Sequence, residues 1–353
     1  MNIIISLAKW SLVLFLMFSD TSMSADYEIT KVIEVGPCTG EPSLTPLRWS
    51  PDGKYVAYFL NGTLMISDSL GNSSAITKFD YAPRRYEWLS RKELVLHLME
   101  WDVKSALNQQ LVRVDVETKE VFTLLTHISE SGARSTDEEE SFDGPWLTAE
   151  GHLYVRTNVI RATNKPAGKA LLNERVLFFE SRYSDAKADS FGRNDHIVFW
   201  EDDGMYLSKA DFSQESQLAS REKHPIQLPV IINSDLTYYM VHWSICRISD
   251  SSCINILNNI KKHPVEKFLT DPIYYSFNPQ MPEVLIGFVY ELDEFNEIWR
   301  MGTFNYNNLN FTMLDDEINM FGCRAPAYSP DGLQIAFISP NNSLCILYRK
   351  MKL

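Results

Sequence analysis

The chain has 353 residues, 45% of them hydrophobic and 22% charged, with a formal net charge of −13 and a pI near 5.1. That length can bury a large core, and an acidic chain without a Lys/Arg cluster is excluded as a nucleic-acid or anionic-membrane binder. Lys9 precedes an apolar run from Trp10 to Phe18 and then small and polar residues, with Ser22 and Ser24 suited to a cleavage site after Ser24. The run is about half of the roughly 20 residues that a membrane span needs. Residues 1–24 are therefore expected to be a signal peptide, 25–353 a single mature domain, and the destination secreted or periplasmic.

That compartment permits disulfides, and the 5 cysteines stand at 38, 246, 253, 323 and 345. Cys246 and Cys253 flank a polar stretch that reads as a hairpin turn, so a bridge between them is geometrically easy. The alternative is that all five are buried small hydrophobes. No Cys-x-x-Cys and no Cys/His cluster at metal spacing occurs, and no cofactor is expected.

After the signal, 26–36 reads as a strand without an adjacent partner. The first clear unit is WSPDGKYVAYFL from Trp49, followed by strands at 62–68 and 73–80. In its turn Pro51 presets φ, Asp52 can bond nearby backbone, and Gly53 tolerates positive φ. The strand from Lys54 is apolar on both alternating sides, as in a sheet covered on both faces. The unit returns as YSPDGLQIAF at 328–337, and in decayed form between. Trp49, Trp88, Trp146, Phe191, Ile231, Ser276 and Tyr328 mark its copies, about 40 to 58 residues apart, near the period of four-stranded propeller blades.

The expected fold is thus all-β, a propeller of seven four-stranded blades, with six compatible because 159–225 is poorly marked and a sandwich as the architectural alternative. The last unit supplies only three strands, ending at 343–349. Strand 27–35 is expected to complete it and close the ring.

These SPDG-centred units resemble the WD-like propeller repeats of the TolB family, over essentially the whole mature chain. The resemblance implies the fold and little about activity. TolB proteins carry an α/β domain ahead of the propeller, for which this chain has no room. Related propeller peptidases carry a Gly-x-Ser-x-Gly elbow, which is absent. Propeller lyases built on similar units use histidine-held metal, but the 7 histidines are dispersed. His97 and His242 read as strand histidines, and Asp202/Asp203 and Asp315/Asp316 as turns.

Loops sort by face. A–B and C–D turns are short, whereas long insertions at 100–109, 127–143, 158–173 and 211–227 are assigned to B–C and D–A connections on the opposite face. Recognition usually resides in such loops. Trp101 is an aromatic anchor candidate, and Glu138, Glu139 and Glu140 face Arg161 and Lys165 of the neighbouring insertion as a charged recognition set. A solvated acidic loop is the competing reading. The expected function is a monomeric, non-enzymatic scaffold for a protein or peptide partner; the alternative is a propeller hydrolase or lyase on an extracellular polysaccharide. Asn61, Asn72, Asn310 and Asn341 head N-glycosylation triplets, which matter only in a eukaryotic route.

Overall fold

A computed structural model describes residues 27–351 apart from 39–46, 81, 102–106, 129–139, 148–152, 160–175, 181–187, 192–195, 202–203, 210–215, 221–229, 234, 261–273, 294–295 and 321–322. The described chain is nearly all β. After β1 (Tyr27–Pro37), the first sheet holds β2 (Arg48–Trp49), β3 (Tyr55–Leu60), β4 (Thr63–Asp68) and β5 (Ser73–Lys78). The second holds β6 (Ala82–Trp88), β7 (Glu93–Trp101), β8 (Leu107–Asp115) and β9 (Val121–Ile128). The third holds β10 (Glu140–Leu147), β11 (Leu153–Val159) and β12 (Val176–Glu180), and the fourth β13 (Ala188–Phe191), β14 (His196–Glu201), β15 (Gly204–Lys209) and β16 (Ser216–Ser220). The fifth holds β17 (Val230–Ile232), β18 (Tyr238–Val241), β19 (Ser244–Arg247) and β20 (Cys253–Asn255), followed by the short helix α1 (Leu257–Ile260). The sixth holds β21 (Tyr274–Phe277), β22 (Glu283–Asp293), β23 (Asn296–Asn305) and β24 (Asn310–Met313), followed by α2 (Leu314–Glu317). The last sheet orders β25 (Arg324–Tyr328), β26 (Gln334–Ile338) and β27 (Ser343–Met351) with β1 outermost.

Each of the seven sequence markers falls on the first strand of a sheet. Those first strands neighbour one another in series: β2 lies by β6, β6 by β10, β10 by β13, β13 by β17, β17 by β21, β21 by β25, and β25 by β2. Indole N–H groups join them at equivalent places. Trp88 Nε1 donates to the Arg48 carbonyl at 3.0 Å, and Trp49 Nε1 to the Ala327 carbonyl at 3.1 Å. In each case the acceptor precedes the marker of the preceding sheet.

The cores lie between sheets. Val56 and Tyr58 of β3 pack with Ala336, Ile338 and Leu344 of the last sheet, while Ala57 and Phe59 point the other way, to Tyr86, Trp88 and Leu96 of the second. This explains why β3 is apolar without alternation. β26 is built alike: Ala336 and Ile338 face the first sheet, Ile335 and Phe337 face Leu285 and Met301 of the sixth. A fully buried side chain of this size contributes roughly 1.5–3 kcal/mol.

The SPDG turn shows why the unit recurs. Ser50 Oγ donates to Asp52 Oδ1 at 2.8 Å and accepts the Tyr55 N–H at 3.0 Å, while Gly53 adopts φ +69°. Partial burial works against the Asp52 carboxylate, but bonds from Ser50 and the Lys54 N–H hold it below the usual range. In the last sheet Gln334 N–H donates to Ser329 Oγ at 2.9 Å, with Gly332 at φ +71°. In the decayed fifth unit Asn233 takes the place of Ser50, its Oδ1 accepting the Tyr238 N–H at 2.8 Å. In the sixth, Asn278 Oδ1 instead accepts N–H groups inside its own turn, from Gln280 at 2.9 Å and Met281 at 3.2 Å.

These turns also touch. A Cβ on Gly53 meets Pro330 at an ordinary 3.5 Å, whereas one on Gly332 overlaps the Asn278 carboxamide, which donates to the Gly332 carbonyl at 3.2 Å. Gly53→Ala is therefore expected to cost roughly 1–2 kcal/mol from backbone conformation alone, and Gly332→Ala at least about 1 kcal/mol more. Urea melts of the two variants check this; equal losses contradict it.

Three expectations change. The third sheet has three described strands, and β12 runs parallel to β11, with Leu153 opposite Val176. A parallel neighbour needs a long crossover, and the insertion after Val159 is long enough to make one. The segment 211–227 is not simply a loop, because it contains β16; the polar sequence SQLAS still pairs, with Leu218 and Ala219 buried. His242 lies in the β18–β19 turn at φ +54° rather than within a strand, while His97 is buried in β7.

Candidate functional site

The predicted partner residues distribute unevenly. Trp101 ends β7, its backbone opposite Leu107, so 100–101 and 107–109 continue the ladder instead of belonging to a loop. Alternation of apolar residues stops at Met99, yet the backbone bonds do not. Glu140 opens β10 opposite Val159. Glu138, Glu139, Arg161 and Lys165 lie outside the described residues, as do Asp202, Asp203 and the signal segment. Cys246 and Cys253 are opposite one another on β19 and β20 and are disulfide-bonded, while Cys38, Cys323 and Cys345 are buried and form no disulfide.

The two ends of the sheets differ. At the A–B end, short turns are fixed by the Ser and Asn bonds above. At the B–C end two hairpins run on: β7–β8 to Trp101 and Leu107, and β22–β23 to Asp293 opposite Asn296, beyond Tyr274 of β21, which pairs with Gly287.

A second feature lies on the short-turn side, where a cleft of about 250 Å³ opens between the sixth sheet and the outer strands of the last. Its floor is a buried ion pair that no motif in the sequence announces. Arg349 of β27 donates through Nη1 to Glu283 Oε1 at 2.7 Å and through Nη2 to the Gly332 carbonyl at 3.2 Å. Tyr328 Oη donates to the same Glu283 oxygen. The Arg349 guanidinium lies 4.0 Å from the Tyr27 ring centroid and 5.3 Å from that of Tyr328. The β1 strand thus contributes an aromatic to the site. Burial, reinforced by the Glu283 charge, lifts the Tyr328 phenol well above its ordinary range and keeps it neutral. Burial opposes the Arg349 charge, but Tyr328 and Glu283 outweigh it and raise its pKa. The signal in the sequence was parity: Arg349 shares a strand face with Cys345 and Leu347, where a charge has to be paired.

Asp315 and Asp316, expected as a turn, form part of α2. Asp315 is fully buried and bonds Arg300 of β23, which also reaches Asp316 at 2.5 Å. Burial pushes the Asp315 carboxyl up to about 6, against the Arg300 hydrogen bond and charge. A raised folded pKa gives stability that is complete below the unfolded value of 3.8 and is lost as pH rises through about 6. Between pH 4 and 7 the wild type should therefore fall by on the order of 2–3 kcal/mol relative to Asp315→Asn. Parallel denaturation curves for the two proteins contradict this. Among the described residues no group of three or more His, Cys, Asp and Glu is placed to hold a metal ion, and no helix is long and apolar enough to cross a membrane.

No protein-family model matches the chain, and no curated protein matches it in sequence. Solved structures do. A chain of the mitotic checkpoint complex superposes with a TM-score of 0.51 at 12% identity, covering 94% of both chains. A protein described as TolB from Agrobacterium tumefaciens gives 0.41 at 13% identity over 91% of both. An oligogalacturonate lyase in complex with manganese gives 0.33 at 12% over 86% of this chain and 76% of that one. The likeness to the mitotic checkpoint chain is one of fold alone, and it agrees with a propeller of mostly antiparallel sheets.

Proposed function

We propose that the mature chain, 25–353, is a secreted or periplasmic seven-bladed propeller, closed by β1, that binds a protein or peptide partner without acting on it chemically. Serial adjacency of the first strands, the Trp49 to Ala327 bond and the β1–β27 ladder support the ring. The observation that carries the binding reading is the asymmetry of the two faces: locked, mutually touching turns on one, projecting β7–β8 and β22–β23 hairpins on the other. A rigid scaffold with raised hairpins on one face suits recognition. The charged floor of the short-turn cleft fits this reading too. Arg349 and Tyr328 are held in their ordinary protonation states, unlike groups tuned for acid–base chemistry.

The test is capture of partners from native envelope or secretion extracts, with a melting curve for each variant. Trp101→Ala should weaken capture by about 1–2 kcal/mol, roughly tenfold, without changing stability. Replacing 129–139 by a Gly/Ser linker should act alike, since loop shortening alters closure entropy only weakly. Full capture by both variants, alongside loss in folded variants of the short-turn face, contradicts this assignment. Turnover of a polyuronide with stoichiometric divalent metal overturns the non-enzymatic reading.

A further inference from the structure

The cleft between the sixth and last sheets lies on the short-turn side, away from the proposed partner face, so that reading leaves it unused. Its polar wall is built in advance. Asn305 Oδ1 accepts the Asn307 and Asn308 N–H groups at 3.0 and 3.2 Å, and Asn308 Oδ1 accepts the Asn310 N–H at 3.0 Å. Those bonds fix both carboxamides through their oxygens and leave each Nδ2 as a positioned donor. Thr303 and Thr312, paired across β23 and β24, add hydroxyls that donate or accept. Below them, Arg349 is 6% exposed, and its buried Nε has no hydrogen-bond partner, although its charge is matched by Glu283. A buried N–H without an acceptor is costly, and this one belongs to a residue that lines the cleft. Tyr27 and Ile29 of β1 supply the apolar side.

These walls sort ligands. A volume of about 250 Å³ lies below the roughly 300–1,000 Å³ of pockets for drug-sized molecules, so the occupant is one or two small rings. An apolar occupant strands the amide donors. Glu283 and Arg349 cancel, so the buried floor carries no net charge to select an ion. A neutral molecule dense in hydroxyls, with a C–H face for Tyr27, meets all of these demands. The geometry points to a binding site for a neutral saccharide of one or two rings, free or at the end of a glycan chain.

The test uses the full mature chain made without N-glycosylation, because Asn310 heads an acceptor triplet on the cleft wall. Saturation-transfer NMR and calorimetry are run with methyl glucoside, methyl mannoside, N-acetylglucosamine and maltose, with gluconate and glucosamine as charged counterparts. A glycan array supplies the chain-end arm. At least one neutral saccharide should bind, as free sugar or chain end. Asn305→Asp and Asn308→Asp keep the turn-fixing Oδ1 and remove the donor, so each should weaken binding at least tenfold with the melting temperature unchanged. Absence of saccharide binding in both arms, binding that survives these variants, or tighter binding of gluconate or glucosamine overturns the proposal. Partner capture through the β7–β8 face should be unaffected by Asn308→Asp, so failure here leaves that reading standing.

Discussion

A chain shortened to begin at Cys38 should aggregate or lose on the order of 5 kcal/mol or more, whereas one beginning at Tyr27 should melt as the mature chain does. The reason is what β1 covers. It pairs with β27 from Tyr27 opposite Met351 to Pro37 opposite Ser343. Ile29 and Val32 pack with the core shared by the sixth and last sheets, and Val35 with the core shared by the last and first. Its Ile33 also lies where any Cβ on Gly71, in the β4–β5 turn, would touch. Half-burial of three such side chains is worth about 2–4.5 kcal/mol, before the unpaired β27 edge is counted. Against a total stability of about 5–15 kcal/mol, that loss is decisive. An unchanged melting temperature and a monomeric elution profile for the chain beginning at Cys38 contradict it.

Arg349→Met should cost about 3–5 kcal/mol, because it leaves Glu283 buried beside a neutral phenol with no cation. The side chains of Arg349 and Glu283 are 2% and 8% exposed, so water cannot take the place of the missing partner. Glu283→Gln leaves the opposite charge stranded and should also destabilise. The double variant removes both charges and should be far closer to wild type than the sum of the singles, with a coupling of about 2 kcal/mol or more. Urea denaturation of the four proteins measures this. Additive losses sink the account of the floor as one coupled unit. Folded single variants should also retain partner capture, since the pair lies away from the Trp101 hairpin.

The sequence carried the local features well. SPDG reads as a turn because each residue has a backbone reason to be there, and the Trp49 and Trp88 markers stand out because an indole at that place joins neighbouring sheets. The N-terminal strand was legible by subtraction, since three strands at the end lacked a fourth. What was not legible is long-range or polar. Asn233 fills the role of Ser50 but does not look like it. Glu283 and Arg349 are far apart in sequence, each in an apolar strand, and only their parity hints at a shared face. The continuation of β7 to Trp101 and the strand at Ser216–Ser220 were hidden because backbone pairing does not require apolar side chains.

Closure of the ring by β1 is tested most directly by a cysteine placed at Glu34, which is opposite the free, buried Cys345 in the β1–β27 ladder. Directly opposed residues of antiparallel strands share a face, close enough for a disulfide. Mild oxidation of Glu34→Cys, followed by peptide mapping without reduction, should yield an intrachain link between positions 34 and 345 in a monomer of raised melting temperature. A Glu34→Cys protein that forms no such link, or that links only between two chains, contradicts closure of the chain upon itself.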